Sequence, residues 1–342
     1  MRRRTNWLLG IGVLLLALAA AAGGAWLRFE GRMQRPGATA GATRVAVPAG
    51  ASLRGVLRRL ESQGLLPWAP AVEAWLRLHR QSVHLAVGTY EFPAHASPAD
   101  VLAQLASGRT VLEQLTIVEG WTFAEMRRAL AAHPALAHDW SALAPAQLME
   151  RLGAAGLGAE GRFFPDTYRF AAGTSDRRIY QLAYARMNEE LAAAWAGRDA
   201  ALPVANEEEA LVLASIIEKE TGRADERGKV AAVFVNRLRK GMRLQSDPTV
   251  IYGLGAAYDG NIHLRDLQAD TPYNTYTRAG LPPTPIALPG AAALQATLHP
   301  EHIDALFFVA TGRGDGSHQF SATLAEHNAA VQAFLARMGQ HR

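Results

Sequence analysis

The sequence predicts an α+β protein in three parts: an N-terminal transmembrane helix, a small α/β domain and a larger mixed α/β domain. Three observations carry that reading. An uncharged apolar run fills residues 7–27, short strand-like runs alternate with helical periodicity to about residue 123, and the chain turns helical from about residue 205. The boundaries that follow are 1–6 for a cytoplasmic tail, 7–27 for the span, 28–43 for a linker, 44–115 for the small domain and 116–342 for the larger one.

Arg2, Arg3 and Arg4 precede the apolar run, and only the scattered charges Arg28, Glu30 and Arg32 follow it. About 20 apolar residues suffice to cross a hydrocarbon core of about 30 Å as a helix. Trp7 and Trp26 stand at the two ends of the run, where amphipathic rings favour the headgroup level. The positive-inside rule places the N-terminus in the cytoplasm and the bulk of the chain outside. A cleaved signal peptide is the rival reading, with small residues at Ala17–Ala22 as cleavage sites. The run is longer than the roughly 7–15 residues of a signal core, which favours an uncleaved anchor. Both readings export the remainder.

The chain has no cysteine, so disulfide and thiolate chemistry are excluded and an oxidising compartment poses no hazard. Its 35 basic and 31 acidic residues leave a net charge of +4, most of it Arg2–Arg4. The exported part is nearly balanced, with no basic patch of the kind nucleic acid requires.

Residues 28–43, with Gly31, Pro36, Gly37 and Gly41, read as a flexible linker. Val45–Val47 is a short strand, and Leu53, Val56, Leu57 and Leu60 then recur at helical spacing until Gly64. Gly88–Phe92 is a second strand. Ser97 caps a helix with Pro98 at its first position and Asp100 in its first turn, ending at Gly108. Val111–Val118 is a third strand, followed by Glu119-Gly120-Trp121-Thr122 and a helix from about Phe123. These small β/α units resemble the LysM-like fold, a family of glycan-binding modules. Farther on, residues 245–290 are rich in Gly, Pro, Asn and Tyr with little periodicity, the character of a functional surface. Leu306–Ala310 reads as a buried strand. A final amphipathic helix turns Ala325, Ala329, Val331, Phe334 and Leu335 inward.

Several chemistries are excluded by their missing motifs. There is no Walker loop, dinucleotide fingerprint, HExxH or G-x-S-x-G, and Gly312–Gly316 lacks the spacing of a phosphate loop. His299 and His302 straddle Pro300, which suits a loop better than a metal site. No metal or cofactor is expected.

The helix after Asn206 carries the chemistry. Asn206 and Glu209 form a capping arrangement and Gly222 is a natural stop. Between them Leu211–Ile217 is apolar nearly all round, so the helix is buried and brings Glu218 or Glu220 into a poorly solvated place. Burial and the negative end of the helix dipole both favour a protonated carboxyl, the form a general acid needs. Periodicity does not choose between Glu218 and Glu220, and pairing with Arg223, Arg227 or Lys229 is the competing structural reading.

The stretch ASIIEKET (Ala214–Thr221), with VFVNRL (Val233–Leu238) and LQSDPTVIYG (Leu244–Gly253), resembles the MltG or YceG-like family of endolytic murein transglycosylases. So do TPYNTYTRAGLPPTPI (Thr271–Ile286), FFPDTY (Phe163–Tyr168), IVEGWT (Ile117–Thr122) and the tail from FFVATG to SHQFSATLAEHN. Thr284 stands where the family usually has Gly, and Leu288 where it usually has Asn. The resemblance implies that Glu218 is the catalytic acid and that the substrate is the peptidoglycan glycan strand. The bond cut lies between N-acetylmuramic acid (MurNAc) and N-acetylglucosamine (GlcNAc), with formation of 1,6-anhydroMurNAc. It further implies a single-pass protein of the cell inner (cytoplasmic) membrane with its catalytic part in the periplasm. There it would stop elongation of nascent strands near cell-wall synthesis enzymes.

Gln245, Ser246, Asp247, Tyr273, Asn274 and Tyr276 are the candidates for holding sugar, since amides, hydroxyls and phenol rings suit pyranose hydroxyls and faces. Ser246-Asp247-Pro248 as a helix cap and Pro272-Tyr273-Asn274 as a plain turn are the structural alternatives. His318, Glu326, His327 and Asn328 are expected to order the C-terminal region. Two other functions fit the same residues: a two-carboxylate muramidase pairing Glu218 with Asp247 or Asp166, and a non-enzymatic glycan-binding scaffold.

Overall fold

The computed structural model describes residues 2–48, 50–81, 83 and 85–340, with side chains from residue 13 to residue 339. Met1, the side chains of Arg2–Arg4 and Trp7, and the last two residues of the expected larger domain lie outside the described residues. The chain divides into two compact units. The first holds residues 1–113 and 169–174, the second residues 114–168 and 175–342.

The first unit opens with helix α1 (Arg2–Met33), 32 residues long. Its apolar stretch is bare: Val13, Leu14, Leu15, Leu16, Leu18 and Leu27 are all exposed. Length and composition suffice to cross a membrane. The helix does not stop at Leu27, however. Trp26 and Phe29 meet at a tilt, 5.6 Å between ring centroids, and pack against the core of this unit, and Met33 is fully buried. A helical Gly31 costs only about 1 kcal/mol, which the burial of Phe29 and Met33 outweighs. Residues 28–33 are thus helix where a flexible linker was expected. The rest of that linker is tied down as well, with the Gly37 amide donating to the His95 carbonyl and the His95 amide to that of Thr39.

Strand β1 (Thr43–Val47) then leads through α2 (Leu53–Ser62) and α3 (Ala69–Leu78) to β2 (Gly88–Phe92). The two strands pair antiparallel, with Val45 opposite Tyr90 and Val47 opposite Gly88. Val45, Val47, Tyr90 and Phe92 point into the core, where Leu57, Leu60, Val72 and Leu76 meet them. Helix α3 was not anticipated from sequence; it starts beside Pro70, inside a stretch broken by Pro67 and Trp68. Helix α4 (Pro98–Ser107) follows with the anticipated cap. Ser97 accepts from the Asp100 amide, Asp100 accepts from that of Ser97, and Gly108 ends the helix in the left-handed region. The chain passes between the units within β3 (Leu112–Thr116), within β5 (Thr167–Ala171) and back again within β6 (Thr174–Ser175).

In the second unit α5 (Phe123–Ala132), β4 (Leu136–Ala137) and α6 (Pro145–Arg151) precede β5, and β6 (Thr174–Ser175) precedes the long α7 (Asp176–Ala196). Helix α8 (Glu207–Glu220) is the centre. Every residue from Ala210 to Ile217 is buried, and α7, α9 (Arg227–Arg239), α10 (Asp247–Leu254) and α12 (Ala291–Leu298) pack around it. The weakly periodic segment expected at 245–290 contains α10, a 3-10 turn at 255–257 and the short α11 (Leu264–Gln268). Strands β7 (Phe307–Ala310) and β8 (His318–Ser321) form an antiparallel hairpin covered by α13 (Leu324–Gln340). β7 is only half-buried, with α13 and α9 packed against it. The inward face of α13 is also rotated from the expected one. His327, Ala330, Val331, Phe334 and Arg337 are sheltered, whereas Ala325, Ala329 and Leu335 are exposed. Arg337 donates to the Thr311 carbonyl and His327 stacks on Phe307, so two polar residues occupy positions that an apolar pattern cannot reveal.

Candidate active site

Helix α8 remains buried to Ile217 and then delivers Glu218, Lys219 and Glu220 at its last turn. Two residues along a helix is a rotation of about 200°, so the two carboxyls face different surroundings.

Glu218 is half-buried. Its Oε2 accepts from the amide of Gly290 at 2.9 Å, and Gly290 is the N-cap of α12. Burial is the main cause that raises its pKa; the Gly290 amide opposes this, the carboxylate of Glu119 adds to it, and Arg227 and Lys219 oppose it. The turn at 119–121 is fastened beside it. Gly120 donates to the Leu288 carbonyl at 2.9 Å, Leu288 donates to that of Trp121 at 2.6 Å, and Lys219 Nζ donates to that of Gly120 at 3.1 Å. Glu218 makes no ion pair among the described residues, so the competing reading, a pairing with Arg223, Arg227 or Lys229, is absent there. Arg223 is taken by Asp225 and Glu226, and Arg227 keeps a buried Nε with no hydrogen-bond partner.

Glu220 lies among the residues singled out for sugar binding. Its Oε1 accepts from Ser246 Oγ at 2.5 Å. Burial pushes its carboxyl up to about 7, with the Ser246 bond opposing and Asp247 reinforcing the rise. Ser246 is fully enclosed, and its amide donates to Thr275 Oγ1. Asp247 is exposed and accepts from the Tyr276 hydroxyl at 2.6 Å. Gln245 is exposed too, with a left-handed φ of 51° that non-glycine residues rarely adopt.

Six residues were expected to hold sugar, and they divide. Gln245 and Asp247 have exposed side chains, and Tyr276 is half-buried and bonded to Asp247. Ser246 is spent on Glu220. Asn274 is buried, its amide nitrogen donating to the carbonyls of Asp266, Leu267 and Ala269 and its oxygen accepting from the Tyr276 amide. Tyr273 stands edge-on to Tyr252 and bonds Thr284 at 2.8 Å. Ser246 and Asn274 order the loop instead of facing a ligand, since a buried amide satisfies its donors on the nearest backbone carbonyls.

Of the partners considered for a second carboxylate, Asp166 is exposed and accepts from the Thr167 amide, while Asp247 stands on the Glu220 side. The carboxylate that the fold does bring to Glu218 is Glu119, which sequence patterning passed over. Glu160 was also missed. It is half-buried with its pKa raised by desolvation, and accepts from the Phe123 amide at 2.8 Å and the Tyr252 hydroxyl at 3.1 Å. In the C-terminal region His318 pairs with Glu226 at 2.7 Å and Glu326 accepts from the amides of Ala322 and Thr323, an ordering role as expected. His299 pairs with Asp199, and no cluster able to hold a metal occurs among the described residues.

A sequence model of the YceG-like family matches residues 45–333. An endolytic murein transglycosylase of Bacillus subtilis strain 168 is 45% identical over 125 residues, 36% of this chain and 34% of that one. Endolytic murein transglycosylases of Streptococcus pneumoniae, strains D39 and R6, are each 29% identical over 299 residues, covering 78% of this chain and 54% of theirs. The chain thus spans about half or less of the length of these curated relatives. A crystal structure of a yceG-like protein from Listeria monocytogenes is similar with a TM-score of 0.52 and 28% identity, over 84% of this chain and 98% of that one.

Proposed function

Because the chain belongs to the YceG-like family, we propose that it is a membrane-tethered endolytic peptidoglycan transglycosylase whose catalytic acid is Glu218. The observation that carries this reading is the state of Glu218 itself. It is a half-buried carboxyl with its pKa raised by burial, one oxygen fixed by the Gly290 amide and no ion pair among the described residues. A protonated, oriented carboxyl next to a surface is what donation to a glycosidic oxygen requires.

The reaction needs no water. Glu218 gives its proton to the oxygen leaving MurNAc C1 as the C1–O bond breaks. The MurNAc 6-hydroxyl oxygen then bonds to C1, and its proton returns to Glu218. Acid and base are one group used twice, so the enzyme ends as it began and the cut strand ends in 1,6-anhydroMurNAc. Gln245, Asp247 and Tyr276, on the Glu220 side of the helix, are the residues proposed to hold the strand. The order β1–α2–α3–β2 supports a LysM-like glycan-binding role for the first unit. The bare apolar stretch of α1 supports single-pass anchoring in the cytoplasmic membrane, with residues after it on the periplasmic side. That location puts nascent strands, and the enzymes that make them, within reach.

Purified wild type, Glu218→Gln and Glu220→Gln are to be compared on isolated glycan strands. Glu218→Gln should lower cleavage by at least about 100-fold, and Glu220→Gln by far less. Equal activity of Glu218→Gln and wild type would remove Glu218 from the reaction.

A further inference from the structure

Resting on the reading of Glu218 as the acid, we infer that Glu119 is its positioning residue, a second carboxylate that keeps the working proton on Glu218 between turnovers. The evidence is geometric and centres on Gly290. A Cβ built there would lie 1.9 Å from Glu119 Oε1 and 2.4 Å from its Cδ, so only glycine lets the Glu119 carboxylate rest at this place. The amide of the same Gly290 is the one Glu218 accepts from. Both carboxylates therefore converge on one residue.

The convergence is built in from three directions. The 119–121 turn is clamped by two backbone bonds to Leu288 and one bond from Lys219. Gly120 takes a left-handed φ of 78°, and a side chain there would meet the Glu218 and Lys219 stems at 3.8 and 3.7 Å. The charged groups facing Glu218 are Glu119 from this turn, Lys219 from its own helix and Arg227 from α9, with the Gly290 amide from α12. Lys219 is turned aside onto the Gly120 carbonyl. Glu119 is the one negative charge in the set, and it is exposed where a substrate could meet it.

A group that serves as both acid and base gains from such a neighbour. Near a like charge, Glu218 stays protonated at higher pH, ready for the first step. Once it has given the proton up, the same repulsion makes its carboxylate a stronger base toward the 6-hydroxyl.

The test is the pH profile of kcat/KM for the full chain on isolated glycan strands. The series comprises wild type, Glu119→Gln, Glu119→Asp and Gly290→Ala. Removing the charge in Glu119→Gln should move the basic limb to lower pH by roughly half a unit or more, with cleavage below the limb within about tenfold of wild type. Glu119→Asp should return the limb toward wild type. Gly290→Ala, whose Cβ displaces the carboxylate, should shift it as Glu119→Gln does. An unmoved limb in both Glu119→Gln and Gly290→Ala overturns the inference, and so does loss of cleavage at every pH in Glu119→Gln. Absence of cleavage by wild type is a different result and overturns the reading of Glu218.

Discussion

Glu220 shows how much one buried carboxyl can weigh on stability. Its pKa stands at about 7 in the folded chain against an ordinary 4.5. A carboxyl whose folded pKa is raised stabilises the fold fully below its unfolded pKa, and that contribution is lost as pH rises through the folded value. Between about pH 4.5 and 7 this group alone should lower stability by roughly 3 kcal/mol. Gln keeps an acceptor for Ser246 and removes the ionisation. Glu220→Gln should therefore gain on wild type in thermal midpoint as pH rises from 5 to 8; parallel curves would mean that Glu220 ionises freely in the folded chain. At this scale the sequence was half legible. The family resemblance singled out Glu218, but periodicity left the two acids level, because the partners that distinguish them come from residues 119, 246 and 290. Asn274 and Ser246 looked like sugar ligands because an amide and a hydroxyl in a loop read alike whether turned in or out. Glu119 was invisible as a partner, since only the fastening of its turn to Leu288 brings it to Gly290.

Elements with a chemical signature at their ends were legible. The helices α4 and α8 start where Ser97 and Asn206 cap them, as read from the sequence. Helix α3 lacks a side-chain cap and α13 puts His327 and Arg337 on its sheltered face, so one was missed and the other was read with the wrong face inward. Helix α1 is the instructive case. Composition ends a membrane span at Leu27, but Phe29 and Met33 continue it into the core of the first unit. A chain starting at Arg28 keeps these contacts, whereas one starting at Gln34 loses them. The shorter chain should be less stable by roughly 2–5 kcal/mol, the usual effect of emptying a buried Met position, with the partly buried Phe29 adding to it. Urea unfolding of the two would check this, and equal midpoints would make the junction a flexible linker after all.

For the whole molecule the α+β class was legible, and so was an N-terminal helix long and apolar enough to cross a membrane. The return of residues 169–174 to the first unit from deep within the second was not, since it is a long-range excursion that no local pattern marks. The central claim concerns the second unit and its one acid that works twice. Mass analysis of the new ends in digested glycan strands, wild type beside Glu218→Gln, tests it most directly. Wild type should leave 1,6-anhydroMurNAc ends that Glu218→Gln does not produce. Ends carrying reducing muramic acid would contradict the account, because they would mean that water, not the sugar's own hydroxyl, completes the reaction.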